Sequence, residues 1–199
     1  FRPLEPRDFS FNSSFGACST CEGSGSVSDL DFDLIVPDLN RSIEQGGIAV
    51  WSDLEIVKNR TFWWQRAGQA GLPTDVPLRR FSPTQRTLLL EGNGQGFSGI
   101  RGFLAELQTT SKTAKIRKFC ATFIGDVACP ACQGARLKTE SLHYRLLAKN
   151  IAQIGQLRID HAQDFFQVFS QTLTLADKSH EQLLARSVLE QILARLSFL

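Results

Sequence analysis

Four cysteines in two Cys-x-x-Cys pairs are the residues of this sequence best suited to chemistry. Cys18 and Cys21 lie in "FGACSTCEGSG", and Cys129 and Cys132 lie in "ACPACQG". A Cys-x-x-Cys turn presents two thiolates side by side, and structural zinc takes four ligands in a tetrahedron. Glycine follows each pair closely and lets the backbone turn around a metal. The pattern therefore predicts one four-thiolate zinc site that closes a long loop.

Other chemistry of paired cysteines fits the sequence less well. A redox Cys-x-x-Cys opens a helix after a strand, whereas glycine and serine flank the first pair here. Zinc deaminases and metalloproteases need His-x-Glu or His-Glu-x-x-His, and His143, His161 and His180 begin neither motif. Disulfide frameworks use an even number of cysteines, and this chain has five. We expect reduced thiols in a cytoplasmic setting, with Cys120 as a buried structural thiol.

The run "GQGFSG", residues 94 to 99, matches the Gly-x-Gly-x-x-Gly pattern of dinucleotide-binding loops. Such a loop is followed about twenty residues later by an acidic residue, and here basic "KIRKFC" stands at that place. No Gly-x-x-x-x-Gly-Lys-Ser/Thr phosphate loop occurs in the sequence. We therefore predict that the chain neither holds ATP in this way nor is an enzyme by itself.

The charge of the chain is unevenly distributed along the sequence. The formal net charge is only +2, but residues 58–118 contain eleven Lys and Arg against three Asp and Glu. Because basic side chains neutralise DNA phosphates, we predict that this segment contacts double-stranded DNA mainly through phosphates. The candidate DNA-binding residues are Arg66, Arg79, Arg80, Arg86, Lys112, Lys115, Arg117 and Lys118. The arginines at 79 and 80 lie between prolines that favour an extended chain. The lysines at 112, 115 and 118 recur every three residues and would form one basic ridge if that segment is helical.

Hydrophobic patterning predicts the elements that must position these residues. "DFDLIVP" predicts a strand, and "RTLLLEGNGQGFSGIRGFLAEL" predicts a strand, a glycine loop and a helix. "SLHYRLLAKNIAQIGQL" predicts a strand and a turn, and "IDHAQDFFQVF" predicts a helix capped by Asp160. A last helix is predicted from about Ser179 to Leu199. The aromatic residues that lie among the basic residues of 58–118 are better explained by packing in a core than by contact with DNA bases. No apolar run approaches the roughly 18 residues that span a bilayer.

The flanks of the cysteine pairs resemble the UvrA family of bacterial excinuclease proteins, which act in nucleotide excision repair. "FSFNSSFGACSTCEGSGSV" is similar to the family signature "FSFNSP-GACPTCDGLG", and "CPACQGARLKTESL" resembles the second half of its zinc module. "FFQVFSQTLT" and the last helix resemble the helices that lead to its ABC signature. Ser14 and Ser19 replace prolines that are usual in the family. The Walker motifs and "LSGGE" do not occur in this chain. The chain also contains no methionine, and we therefore expect it to be part of a longer protein.

The resemblance implies an α+β fold in which a zinc-pinned stem carries an inserted α/β subdomain and is followed by an α-helical part. The stem would be a four-cysteine zinc module at 1–29 and 119–138, with a basic insertion domain at 30–118 and helices of a signature domain at 139–199. Expected partners are double-stranded DNA and the remainder of a UvrA-like protein or other repair subunits, with no membrane. A docking module without DNA binding is the main alternative, and an independent zinc enzyme is the more remote one.

Overall fold

The structure is a computed structural model that describes residues 3–57, 60–173 and 180–198. It divides into two compact units. The cysteine unit contains the residues up to Val27 and those from Ala128 onward, and the inserted unit is Ser28–Val127. The inserted unit is thus continuous in sequence, whereas the cysteine unit is assembled from both sides of it. The predicted three-part division into stem, insertion and signature helices stays a prediction.

The sheet of the described residues has two strands, β1 (Ser26–Leu30) and β2 (Ile124–Ala128). Backbone hydrogen bonds continue the antiparallel pairing just past both ends of this ladder, from Asp31 to Phe123 and from Cys129 to Gly25. The chain therefore passes into the inserted unit along one strand and out of it along the other. Because helices accompany a small antiparallel sheet, the predicted α+β class is confirmed.

The inserted unit consists mainly of helices around one apolar core. Its helices are α1 (Phe32–Ile35), α2 (Leu54–Val57), α3 (Arg60–Gln69), α4 (Pro83–Glu91), α5 (Gly99–Thr110) and α6 (Ala114–Ala121). Short 3-10 turns lie at Ala49–Trp51 and Leu78–Arg80. In the core, the Trp63 ring stacks on Trp51 at 6.5 Å and meets Phe103 edge to face at 4.6 Å. These aromatic residues are packing residues, as predicted.

Two segments that the sequence predicts as strands are helices instead. "DFDLIVP" contains α1, because the Asp31 carboxylate accepts the N–H of Asp33 and caps the helix. "RTLLLEG" belongs to α4, which begins at a capping box: the Ser82 hydroxyl accepts the N–H of Gln85, and the Gln85 side chain accepts the N–H of Ser82. Pro83 occupies the first helical position, where its missing N–H costs nothing. In both segments a capping residue favours a helix over the predicted strand.

The cysteine unit carries its helices after the second cysteine pair. They are α7 (Thr139–Leu142), α8 (Ile151–Gly155), α9 (Ile159–Thr172) and α10 (His180–Leu196), preceded early in the chain by a 3-10 turn at Pro6–Phe9. The strand predicted near residue 145 is wrong, since only an isolated bridge joins Leu146 and Lys149 there. Arg158, not Asp160, is the N-cap of α9. The last helix is confirmed, although its predicted limits Ser179 and Leu199 lie outside the described residues.

Among the described residues, no helix combines the length and the apolar character that crossing a membrane requires.

Candidate functional site

The structure brings the four cysteines of the two pairs into one buried cluster. Their Sγ atoms all lie within 4.8 Å of one another. The Sγ atoms of Cys18 and Cys129 are 3.9 Å apart, and those of Cys21 and Cys132 are 3.7 Å apart. Bonds of about 2.3 Å from zinc to sulfur in a tetrahedron separate the sulfur atoms by about 3.8 Å. The cluster therefore has the dimensions of a tetrahedral site for one metal ion.

The backbone makes the same turn after each cysteine pair. Glu22 and Gly23 follow the first pair with φ of 52° and 87°, and Gln133 and Gly134 follow the second with φ of 50° and 84°. Entering this left-handed region costs a residue with a Cβ about 1–2 kcal/mol of free energy. Two such residues in equivalent places indicate that the turns are fixed by what they do for the cysteines.

These turns aim backbone N–H groups at the sulfur atoms. The N–H of Gly25 donates to Sγ of Cys21 at 3.3 Å. Burial opposes the ionisation of Cys21, but the N–H groups of Gly25 and Gly23 and the neighbouring thiols lower its pKa to about 6. The N–H groups of Cys21 and Thr20 likewise lower the pKa of Cys18. Because the thiolate is the metal-binding form of cysteine, these donors favour a bound cation.

Cys132 shows the opposite shift, although its turn has the same form. Burial raises the pKa of Cys132 to about 11 and outweighs the N–H groups of Arg136 and Gly134. A buried thiolate on one cysteine disfavours a second one nearby, since like charges repel at short range. A divalent cation at the centre of the cluster would remove this conflict and would release protons on binding.

The two turns differ in how closely they are packed. A Cβ on Gly23 would lie 2.0 Å from the carbonyl oxygen of Phe11, whereas a Cβ on Gly134 meets nothing within 4 Å. Arg136 Nε donates to the Gly23 carbonyl at 2.7 Å, and its guanidinium lies 3.5 Å from the centre of the Phe11 ring. Packing against neighbouring residues therefore restricts the first turn, whereas there is free space around the glycine of the second turn.

The fifth cysteine, Cys120, belongs to the inserted unit and lies in its core. Its side chain is buried, its Sγ lies 3.9 Å from the carbonyl oxygen of Leu104, and burial raises its pKa. The prediction that this residue is a buried structural thiol is confirmed.

The predicted DNA-binding residues occupy four places of the inserted unit. These places are α3 with Arg66, the 3-10 turn with Arg79 and Arg80, α4 with Arg86, and the α6 region with Lys112, Lys115, Arg117 and Lys118. The residues of the turn and of the α6 region are exposed, whereas those on α3 and α4 are half-buried. The whole unit has twelve Lys and Arg against eleven Asp and Glu. Attraction to phosphates must therefore come from local clusters.

The segment at Arg79 and Arg80 is not extended, contrary to the prediction from its flanking prolines. Leu78 is fully buried, and the chain turns to place it in the core. The N–H of Leu78 donates to the carbonyl of Arg41 at 3.0 Å, so a third exposed arginine lies on the adjacent segment. Arg41 was missed because it precedes the basic run, and only knowledge of this backbone pairing could have found it.

The predicted ridge of three lysines is wrong. Thr113 is the N-cap of α6, so Lys112 precedes the helix and only Lys115 and Lys118 share its outer face. Lys115 also forms an ion pair with Glu55, and this pair raises the pKa of the lysine. Its charge is thus partly offset within the unit.

Arg101, which the sequence did not single out, forms ion pairs that organise the inserted unit. Its guanidinium donates to Asp29 at 2.7 Å and to Glu91 at 2.7 Å. Hydrogen bonds to Glu91 and Asp29 raise the pKa of Arg101, and the guanidinium lowers the pKa of Asp29. Since Asp29 lies 72 positions away, no local sequence signal announces this contact. The charge of Arg101 is thus compensated by carboxylates of the inserted unit.

The glycine loop is built differently from a dinucleotide-binding loop. It follows a helix, α4, rather than a strand. The side chain of Asn93 accepts the N–H groups of Gln95 and Phe97 at 2.9 and 3.2 Å. Gly92 and Gly99 close the loop so tightly that a Cβ on Gly99 would lie 2.4 Å from the nitrogen of Gly92.

The fold and the cysteine cluster define a class of protein in which a four-cysteine unit is interrupted by a helical insertion. The family model for the "UvrA DNA-binding domain" matches residues 31–116, which lie within the inserted unit. UvrABC system protein A of Mycobacterium bovis is 34% identical over 98% of this chain, and that of Methanothermobacter thermautotrophicus is 31% identical over 100%. The chain belongs to the UvrA family.

The comparisons also define the extent of the match. The chain spans 22% of the length of these two relatives. The crystal structure of UvrA2 from Deinococcus radiodurans matches 98% of this chain and 28% of that one, with a TM-score of 0.55 at 18% identity. This likeness supports the fold.

Proposed function

We propose that this chain is the DNA-binding, zinc-containing part of a UvrA-like nucleotide-excision-repair protein and contacts duplex DNA through phosphates. The match of the UvrA DNA-binding domain to residues 31–116 carries the proposal. Those residues form most of the inserted unit, and they include all of the predicted contact residues except Arg117 and Lys118, which follow directly in the same unit. In this role the chain binds DNA and is not an enzyme by itself.

The four-cysteine cluster supports a structural zinc ion. A set of four sulfur ligands in a tetrahedron suits zinc, and the separations of 3.7 and 3.9 Å across the pairs fit one ion. Zinc here would supply a cross-link between chain segments, because four protein ligands leave no open position for catalysis. The proposed ligands are Cys18, Cys21, Cys129 and Cys132.

Arg41, Arg79 and Arg80 are the strongest candidates for phosphate contact. All three are exposed, and the backbone pairing of their two segments brings them to one part of the inserted unit. Arginine binds phosphate oxygens through a planar fork of N–H donors. No base-reading helix motif accompanies them in the sequence, so the contacts would position the duplex without reading its sequence.

A docking role for the cysteine unit is supported by its exposed apolar side chains. Ten large hydrophobic residues are exposed in the described part of the chain between 144 and 198: Tyr144, Leu146, Leu147, Ile151, Ile159, Val168, Leu183, Leu184, Val188 and Phe198. Exposed apolar side chains mark a protein interaction site where they form one contiguous patch. The remainder of a UvrA-like protein or another repair subunit would cover it, and this role is compatible with DNA binding by the inserted unit.

The salt dependence of duplex binding tests the proposed DNA role. Each phosphate contact contributes about −0.9 to the slope of log affinity against log salt, so about four contacts give a slope near −3.6. Replacing Arg79 and Arg80 with Ala should weaken binding to all sequences alike and flatten the slope by about 2. Fluorescence anisotropy with duplexes of different sequence measures both quantities.

A matched control separates local contacts from net charge. The variant Lys149→Ala with Arg195→Ala removes the same number of charges from exposed residues of the cysteine unit. It should leave the slope unchanged. Undetectable binding at low salt, or equal losses in the two double variants, would refute phosphate contact at Arg79 and Arg80.

A further inference from the structure

We infer that Arg136 is a positioning residue of the cysteine cluster, whose side chain holds the first cysteine turn in the geometry that binds the metal ion. This inference rests on the proposed zinc site and adds to it a residue that is not a ligand. Arg136 and Gly25 occupy equivalent positions, since each stands four residues after the second cysteine of its pair. The difference between these two residues shows what the arginine contributes.

The backbone has the same arrangement at Gly25 and at Arg136. Both residues have positive φ, 89° for the glycine and 67° for the arginine. Each directs its N–H at the second cysteine of its own pair. Each carbonyl accepts the N–H of the first cysteine of the other pair, from Cys129 to Gly25 and from Cys18 to Arg136, both at 3.0 Å. The two halves of the cluster are therefore equivalent in their backbone.

The side chain of Arg136 breaks this equivalence. Glycine enters the left-handed region without steric cost, whereas an arginine there is strained. The strained arginine extends its side chain to the first turn, where its Nε donates to the Gly23 carbonyl at 2.7 Å. Its guanidinium lies 3.5 Å from the centre of the Phe11 ring. A strained backbone that persists in a structure points to a role for the residue that bears it.

The Arg136 side chain joins the two halves of the cluster. A Cβ on Gly25 would lie 3.0 Å from Cγ of Arg136, so the arginine passes through space that the glycine leaves free. Its Nε fixes the carbonyl of Gly23, which directly follows the turn of the proposed ligand Cys21. Contacts of this kind orient the ligands of a metal ion, and their loss lowers metal affinity by about 10- to 100-fold.

Arg136→Gly tests the role, because glycine suits the backbone at this position and only the side-chain contacts are lost. Competition with a chelator measures the zinc affinity of the full chain, and the absorption of bound cobalt reports the geometry of the sulfur ligands. Arg136→Gly should bind zinc about tenfold more weakly or worse and should change the cobalt spectrum. The matched control is Gln133→Gly: Gln133 is exposed, also has positive φ, and its side chain has no hydrogen bond among the described residues. It should keep the wild-type affinity or exceed it.

A second variant, Phe11→Leu, removes the ring below the guanidinium and leaves the hydrogen bond to Gly23 in place. It should weaken zinc binding about threefold in the wild-type background and have no further effect in Arg136→Gly. Wild-type affinity in Arg136→Gly, or additive losses in the double variant, would overturn the positioning role and leave the zinc site standing. Full affinity in Arg136→Lys would also overturn it, because charge alone would then explain the effect. If the wild-type chain binds no zinc, the site and the role both fall.

Discussion

The two units of this protein are similar in length but are held together in different ways. The inserted unit encloses a core of twenty buried residues among those that the structure describes. In the described part of the cysteine unit, the buried apolar residues other than the four cysteines are Ala17, Leu137, Ala162 and Leu189. A unit with so little buried apolar surface needs another source of stability. The comparison indicates that packing suffices in the inserted unit, whereas the proposed metal site would take the place of a core in the cysteine unit.

The largest expected effect is the loss of a cysteine ligand. Cys129→Ser should release the metal and unfold the cysteine unit, because structural zinc contributes roughly 10 kcal/mol or more of apparent binding free energy. The inserted unit should keep its structure, since its core contains none of the ligands. Metal analysis together with hydrogen exchange across the chain measures the two units separately.

The control for this variant is the remaining cysteine of the chain. Cys120→Ser should retain one zinc per chain and should destabilise only the inserted unit, in whose core Cys120 lies. Full metal occupancy in Cys129→Ser, or loss of protection in both units at once, would contradict the division of labour between metal and core.

An intermediate effect is expected from the glycines that follow the two cysteine pairs. Gly23→Ala should cost more than Gly134→Ala, because both place a Cβ at positive φ but only the first collides with the carbonyl oxygen of Phe11. Strain at positive φ alone costs about 1–3 kcal/mol. Chelator titrations of the two variants should show weaker metal retention for Gly23→Ala. Equal retention would indicate that packing of the first turn does not stabilise the site.

The smallest effect concerns the ion pairs of Arg101 in the inserted unit. Hydrogen bonds from the Arg101 guanidinium lower the pKa of Asp29, so this carboxylate stabilises the fold at neutral pH. That stability is lost in acid, as pH falls from the ordinary pKa of an aspartate through the lower folded pKa. Arg101→Gln should lower the stability at pH 7 by about 1 kcal/mol, since the groups are partly exposed. The difference from wild type should shrink in acid. A difference that is constant from pH 7 to pH 3 would refute the linkage.

The sequence predicted the features that depend on short spacing. The two Cys-x-x-Cys pairs, the helix after the glycine loop and the last helix each have a local pattern, and the structure places the cysteines together. The predictions of strands at α1 and α4 are wrong because they rested on apolar content and did not take account of the helix caps Asp31 and Ser82. The Ser-Pro-Thr-Gln run that opens α4, with Ser82 as its N-cap, was a helix-start signal that the sequence did provide.

Contacts between distant residues could not be predicted in the same way. The charge excess of residues 58–118 ignores the acidic residues that the fold adds to the same unit, among them Asp29 and Glu55, which pair with Arg101 and Lys115. Such features follow from tertiary packing, which one sequence does not encode in any local pattern.

The pairing of β1 with β2 has a consequence for how this architecture can change. Paired antiparallel strands hold opposite backbone positions only about 5 Å apart, so the chain enters and leaves the inserted unit at almost one point. A segment with its two ends this close can be lengthened, shortened or exchanged while the cysteines on either side keep their places. The region between the strands can thus be replaced as a whole, and evolution or grafting can introduce a different recognition surface there.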